Sequence, residues 1–291
     1  MELISNYMRD GALRHALNDL TQKTFCFNFE DWVTGGYFEG DYIPYSFIED
    51  GKILANVSAN RMQFMQNGIE KNYIQLGTVM TDEAYRRQGL AAKLIKHVVS
   101  IYEKNCDGIY LFGNLDALGF YRKMGFKEGL QYTCSVKKEF LPNAAAAGFT
   151  AVNTEDKAIK EKYLDAVRNS AVNSSLEQMN KFGLQLFYTS SLEGIFYAQD
   201  IGCFISLDQD GDTLMINSVI SKNKVSLKDV LDRLEGNVSE IRLGFTPLAE
   251  DIAMCDLAEY DGADDDRLFY IGNEIKSIET EKLYFPEFSH A

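Results

Sequence analysis

Apolar side chains recur at helical spacing over residues 10–20, where Leu13, Ala16, Leu17 and Leu20 share a face. They do so again over 90–102, where Leu90, Leu94, Ile95, Val98 and Ile101 share one. Shorter stretches at 27–37, closing on Gly35-Gly36, and at 116–124 predict two further helices. Between them the pattern shortens to that of strands. Residues 42–48 and 53–59 flank Asp50-Gly51, and 61–65 and 72–80 flank Asn67-Gly68, so two hairpins are predicted. Residues 108–112 form a short apolar strand. Helices, antiparallel strands, then strand–helix–strand–helix–strand make a mixed-sheet α/β domain (α+β) the expected fold class.

The second half predicts helices at 156–168 and 174–182, strands at 184–188, 194–199, 203–207 and 213–219, then a helix at 227–234 and a strand at 240–245. Residues 214–221, LMINSVIS, echo 74–81, IQLGTVMT, at an offset of 140, and EIRLGF echoes GIYLFG at an offset of 132. A decayed internal duplication is expected, with the intervening turn and helix about eight residues shorter in the second copy. Leu141-Pro142 and Gly148 bracket a run of small residues without amphipathic period, which suits a connector. Two domains are expected, 1–141 and 142–291.

Charge sharpens that division. Among 291 residues, Lys+Arg 29 against Asp+Glu 43 gives a net −14. Residues 1–142 hold 16 basic and 17 acidic side chains, whereas 143–291 hold 13 and 26. A broad basic surface for nucleic acid is excluded. Five scattered cysteines without a CxxC pair, and three distant histidines, give neither a disulfide framework nor a zinc site, so buried, reduced thiols and no metal are expected. No basic start followed by an apolar run marks a signal peptide, and no apolar run approaches a bilayer's width. A cytoplasmic protein without membrane partners, monomer or homodimer, is the expectation.

The most informative stretch is 79–92, VMTDEAYRRQGLAA. A strand ends, the chain turns through polar residues, and a helix opens at Gly89 with Ala91 and Ala92 behind it. Unpaired N–H groups and the positive dipole end of a helix suit a pyrophosphate, and the small residues let it approach. An exposed basic pair on an ordinary turn is the alternative. No Lys-Ser/Thr follows the glycine, and GxGxxG is absent, so neither a Walker loop nor a dinucleotide fingerprint is present.

After the next strand comes Asn114-Leu-Asp-Ala117-Leu-Gly-Phe120-Tyr121-Arg-Lys-Met-Gly125-Phe126. Taken together, the two stretches resemble the GNAT (Gcn5-related N-acetyltransferase) superfamily. Its motif Arg/Gln-x-x-Gly-x-Gly/Ala is matched by Arg86, Gly89 and Ala91, and its later N-x-x-A-x-x-F-Y-x-x-x-G-F element by Asn114, Ala117, Phe120, Tyr121, Gly125 and Phe126. The resemblance covers roughly residues 40–135 and implies a GNAT fold for 1–141, with 142–291 a degenerate GNAT-like half that binds no CoA.

The resemblance also implies roles. Acetyl-CoA would bind between strands 74–80 and 108–113 as cosubstrate. Backbone groups of Val79, Met80 and Thr81 would pair with its pantetheine arm, and the N–H of Met80 or its neighbour would face the thioester oxygen. Arg86, Arg87, Gln88, Gly89, Leu90, Ala91 and Ala92 would hold the pyrophosphate, and Asn114 would reach the pantetheine or sulfur end. Tyr121 would protonate the departing thiolate as general acid. The strand position where several relatives carry a glutamate base is Gln75, which cannot take a proton, and Asp82 and Glu83 read as solvated loop carboxylates. The base stays open. The expected activity is acetyl transfer to a primary amine, small molecule or peptide. The alternatives are an acyl-CoA-binding sensor or interaction module without turnover, and transfer of a longer acyl group.

Three remaining features read as structural. Asp208-Gln-Asp210-Gly-Asp212 has its glycine too early for a calcium loop and predicts a hairpin turn. The acidic run from Asp261 to Asp266 reads as a solvated loop. The apolar tail 285–291 is expected to dock, near the domain interface and the substrate side.

Overall fold

The strands sort into two sheets of the same design. The structure is a computed structural model that describes residues 1–142, 148–236, 238–262 and 266–290. Asn143 to Ala147 of the expected connector, and Asp264 and Asp265 of the acidic run, lie outside it. In chain order the first half comprises β1 (Glu2–Ser5), α1 (Gly11–Phe25), α2 (Glu30–Thr34), β2 (Tyr42–Glu49), β3 (Lys52–Gln66), β4 (Ile69–Thr81), α3 (Leu90–Tyr102), β5 (Gly108–Gly113), α4 (Leu118–Lys123), β6 (Lys127–Gly129) and β7 (Gln131–Val136). The second adds β8 (Thr150–Ala151), α5 (Lys157–Arg168), β9 (Leu176–Gln178), α6 (Phe182–Thr189), β10 (Ile195–Ala198), β11 (Cys203–Asp210), β12 (Thr213–Ser221), α7 (Leu227–Leu231), β13 (Glu240–Leu243), β14 (Cys255–Tyr260), β15 (Arg267–Ile271) and α8 (Lys276–Thr280).

One sheet runs β1-β2-β3-β4-β5-β15-β6 and the other β8-β10-β11-β12-β13-β7-β14. In each, three antiparallel pairs lead to one parallel pair, β4–β5 or β12–β13, and then to antiparallel strands again. Even the register repeats: Ile74 faces Ile109 and Leu214 faces Ile241, the two offsets of the sequence echo. The helix joining the parallel strands has 13 residues in α3 and 5 in α7, which accounts for the eight missing from the second copy.

The halves also exchange strands. β15, from the second half, lies between β5 and β6, and β7, from the first, lies between β13 and β14. β9 adds to the end of β3 through Phe64↔Gln178 and Gln66↔Leu176. Sheet membership therefore crosses the boundary expected near residue 141.

Local chemistry explains the elements around the site. Asp10 caps α1 by accepting from the N–H groups of Ala12 and Leu13. Leu90, Leu94, Ile95 and Val98 bury one face of α3 against β2, β3 and β4, while Ile101, expected on that face, is exposed. α1 and α2 cover the opposite face, with Leu17, Leu20, Phe29 and Trp32 in contact with Tyr42 and Met80. The two strands expected at 53–59 and 61–65 are one 15-residue strand, since Asn60 between them continues the ladder opposite Gln75. The helix expected at 174–182 and the strand at 184–188 change places. Residues 176–178 are held in extended form by pairing with β3, and the apolar run Phe182–Thr189 is helical. A short apolar run fits a buried helix or strand equally well, and tertiary pairing decided this one. Asp210 pairs with Thr213 across a hairpin turn, as expected.

Candidate active site

The parallel pairing of β4 with β5 begins at Tyr73↔Gly108 and ends at Gln75↔Tyr110. Beyond that point the strands part, and residues 76–81 offer a backbone edge with no strand beside it. A bulge sharpens the divergence. β3–β4 register slips between Asn56 and Ser58, and Thr78 stands at φ 42°. That conformation is rare for a β-branched residue and costs about 1–3 kcal/mol. It is held from beneath by a buried polar chain. The Asn56 amide donates to the Thr78 carbonyl at 3.0 Å and to its Oγ1 at 3.1 Å, while Ser58 and Tyr42 hydroxyls each meet Thr78 Oγ1 at 2.7 Å. Tyr7 and Ser46 continue the chain behind Asn56.

The other wall is the turn into α3. Arg87 at φ 64° and Gly89 at φ 76° both lie in the left-handed region, so the backbone curls ahead of the helix. Gly89 provides no side-chain cap, leaving the opening N–H groups of Leu90, Ala91 and Ala92 to a ligand or to solvent. Arg87, Gln88 and Gly89 are exposed. Arg86 is fastened sideways, its Nε on the Thr81 carbonyl at 3.3 Å and its guanidinium 3.5 Å from Glu83. Asp82 binds Lys52 at 2.7 Å and caps the turn through Ala84 N–H, and these partners hold its carboxyl below the usual range. It is a structural carboxylate.

Tyr121 comes to the same opening. A Cβ on Gly113, the last residue of β5, would lie 2.9 Å from the Tyr121 ring, so the ring rests on that backbone. Phe126 and Phe269 pack its edges, and burial pushes its hydroxyl up to about 12. The phenol therefore keeps its proton at neutral pH. Asn114 follows Gly113 directly, and its Oδ1 accepts the Ala117 N–H at 3.0 Å, which leaves the amide nitrogen as the free end. Gln75 is buried at the point of divergence; its Oε1 and the Tyr110 hydroxyl both lack a hydrogen-bond partner. A cleft with two orphaned polar atoms at its apex, an unpaired strand edge and a bare helix start fits an extended, phosphate-bearing molecule.

A cavity of about 220 Å³ adjoins the bulge. Thr78, Tyr42 and Asn60 form its floor, and Phe25, Phe27, Phe29 and Trp32 one wall. Phe187 and Tyr188 of α6 close it from the second half, and Trp32 Nε1 donates to the Gly183 carbonyl at 2.7 Å across that junction. Three carboxylate and guanidinium residues, Glu39, Asp41 and Arg61, stand on its edge. Sequence reading missed this cavity; the available signal was Phe25-x-Phe27-x-Phe29, three alternate rings running from the last residue of α1 to the residue before α2.

The corresponding opening in the second sheet is closed by the chain itself. Past Ile216↔Leu243, the Glu287 N–H donates to the Gly244 carbonyl at 2.8 Å and the Ser175 N–H to that of Thr246 at 2.9 Å. The tail then docks on the first sheet, as expected: Phe285 stacks on Tyr110 at 4.3 Å and His290 on Phe112 at 3.9 Å, while Tyr188 donates to the His290 carbonyl. All five cysteines are free. Cys134, Cys203 and Cys255 are buried, but Cys26, expected buried, is exposed at the left-handed end of α1. Among the described residues no helix is long and apolar enough to cross a membrane, and no cluster of three His, Cys, Asp or Glu could hold a metal ion.

Known proteins share this fold. Residues 11–126 match the family model "Acetyltransferase (GNAT) family". A protein of Enterococcus faecalis V583, described as a probable N-acyltransferase, superposes with a TM-score of 0.56 at 15% identity, over 97% of this chain and 74% of its own. Eis1 from Mycobacterium abscessus gives 0.54 at 12%, over 92% and 73%. A GCN5-related N-acetyltransferase from Anabaena variabilis ATCC 29413 gives 0.54 at 13%, over 92% and 72%. No curated protein matches significantly. Residues 11–126 therefore carry an acetyltransferase domain of the GNAT type, and the solved structures share the fold of the chain as a whole.

Proposed function

We propose that the protein moves an acetyl group from acetyl-CoA to a primary amine by direct attack, with Tyr121 as general acid. The observation that carries this reading is the meeting, at one opening, of the diverging β4 and β5, the left-handed turn into α3, and the Tyr121 ring seated on Gly113. Acetyl-CoA supplies the activated acetyl thioester. The edge of Val79, Met80 and Thr81 pairs with the pantetheine arm, and the N–H of Met80 or its neighbour steadies the carbonyl oxygen as charge grows on it. The backbone from Arg87 to Ala92, with the Arg86 side chain at its rim, binds the pyrophosphate. Asn114 holds the sulfur end through its amide nitrogen. Tyr121, protonated throughout the neutral range, gives its proton to the departing sulfur, while the proton shed by the attacking nitrogen as it becomes an amide leaves to solvent, from which the phenol is restored.

The amine enters from the aromatic cavity, so the second half acts as a wall of the acceptor site. Gln75 takes no proton, and an amine that loses its proton to water before attack needs no protein base. Gln75 also supports the second reading, a domain that binds acyl-CoA without turnover. Release of free thiol from acetyl-CoA with a panel of amines separates the two. Steady release that requires an amine supports the transferase; a CoA-induced rise in Tm without release supports the binding module.

A further inference from the structure

Resting on the transferase reading, we propose that the acceptor is a primary amine carried on an apolar, aromatic body, such as an arylalkylamine, and that the second half selects it. Aromatic rings dominate the walls of the cavity. Phe27 meets Phe29 and Phe187 edge-on at 5.2 and 5.5 Å, and Trp32 meets Phe187 edge-on at 5.7 Å. These contacts set the rings as a rigid box. A volume of about 220 Å³ exceeds the ~150 Å³ that holds benzene, leaving room for a short alkyl chain.

The charges at the edge favour one cation. Glu39 is engaged by Arg168 at 2.7 Å. Asp41 has no ion pair among the described residues; Asn180 donates to one of its oxygens at 3.0 Å, and burial raises its carboxyl above the ordinary value. A half-buried carboxylate beside aromatic faces suits an ammonium group, which gains from both. Arg61 is exposed but still pulls the Asp41 carboxyl downward, less than burial lifts it, so the ammonium group must compete with a screened guanidinium. A hydrophilic polycation would give up hydration against the rings with only one carboxylate to replace it. The floor residue Thr78 precedes Val79 and Met80, so a chain of two or three methylenes reaches from the box to the thioester edge.

The sequence holds a single tryptophan, Trp32, which makes occupancy visible. With CoA saturating, 2-phenylethylamine is titrated against Trp32 fluorescence beside spermidine and kanamycin, and the same amines are compared for thiol release. The expected result is saturable quenching by 2-phenylethylamine alone, and a kcat/KM at least tenfold above the other two. Phe187→Ala and Asp41→Asn should each raise its KM tenfold or more with kcat within threefold and unchanged CoA affinity. Equal or better binding and turnover of spermidine or kanamycin overturns the acceptor class and leaves the transferase intact. Quenching by 2-phenylethylamine without thiol release from any amine keeps the pocket assignment and removes the transferase reading.

Discussion

Tyr42 and Thr78 share a hydrogen bond of 2.7 Å that joins the floor of the aromatic cavity to the strained bulge of β4. One contact thereby links the proposed acceptor site to the edge proposed to bind the acetyl donor. Asn56 bears most of the bulge's restraint, with three donor contacts to Ser58 and Thr78. Asn56→Ala should cost about 1–3 kcal/mol in urea unfolding, the range for stranding buried partners. It should also raise the KM for acetyl-CoA more than that for the amine. A variant with unchanged acetyl-CoA kinetics would show that the bulge does not shape the donor site.

Tyr121→Phe removes one oxygen and keeps the ring on Gly113. The expected loss in kcat is about 10²–10⁴-fold, the usual worth of a positioned proton donor. Full kcat in this variant would dismiss Tyr121 as the acid. Because burial raises this phenol from 10.0 to about 12, it should set no alkaline limb below roughly pH 11. The sign for stability follows: the folded state holds the proton more tightly, so this group's contribution is whole below pH 10 and is lost between 10 and 12.

His290 lies against Phe112 with an unpartnered Nε2, and burial lowers its pKa from 6.5 despite Glu287 and Asp266 nearby. A base with a lowered folded pKa contributes stability above its unfolded value and loses it on acidification. The Tm should therefore fall below about pH 6.5, and His290→Phe should flatten that fall while preserving the stack. Thermal melts of both proteins at pH 5 and pH 8 check this; parallel curves would exclude it.

Gln75→Met removes a buried amide whose oxygen has no partner, at nearly constant volume. Stability should stay level or rise by up to about 1 kcal/mol, because no made hydrogen bond of the side chain is lost. A fall of several kcal/mol in chemical unfolding would mean that the amide has a partner in solution.

Legibility differed between local and distant features. The α3 repeat of Leu90, Leu94, Ile95 and Val98, the Asp50-Gly51 and Asn67-Gly68 turns, and the echoed strands 74–81 and 214–221 announced themselves, because each is written in neighbouring residues. The donor-side candidates were legible for the same reason: Arg86 to Ala92 lie on one turn, and Tyr121 sits eight residues past Gly113. The cavity proposed for the acceptor was not. It joins Phe27 and Asp41 to Phe187, residues whose proximity only the packing of α6 against α2 creates. The exchange of β7 and β15 was hidden too, since a strand's own pattern says nothing of which sheet will take it.

That exchange has a consequence for the order of synthesis. β5 carries the seat of Tyr121, and its second neighbour, β15, spans Arg267–Ile271, far downstream in the sequence. A ribosome delivers this strand only after β6 to β14 have been made. The sheet that seats Tyr121 is thus completed only after the second sheet's strands have been made, and a product terminated before Arg267 would lack the strand that joins β5 to β6.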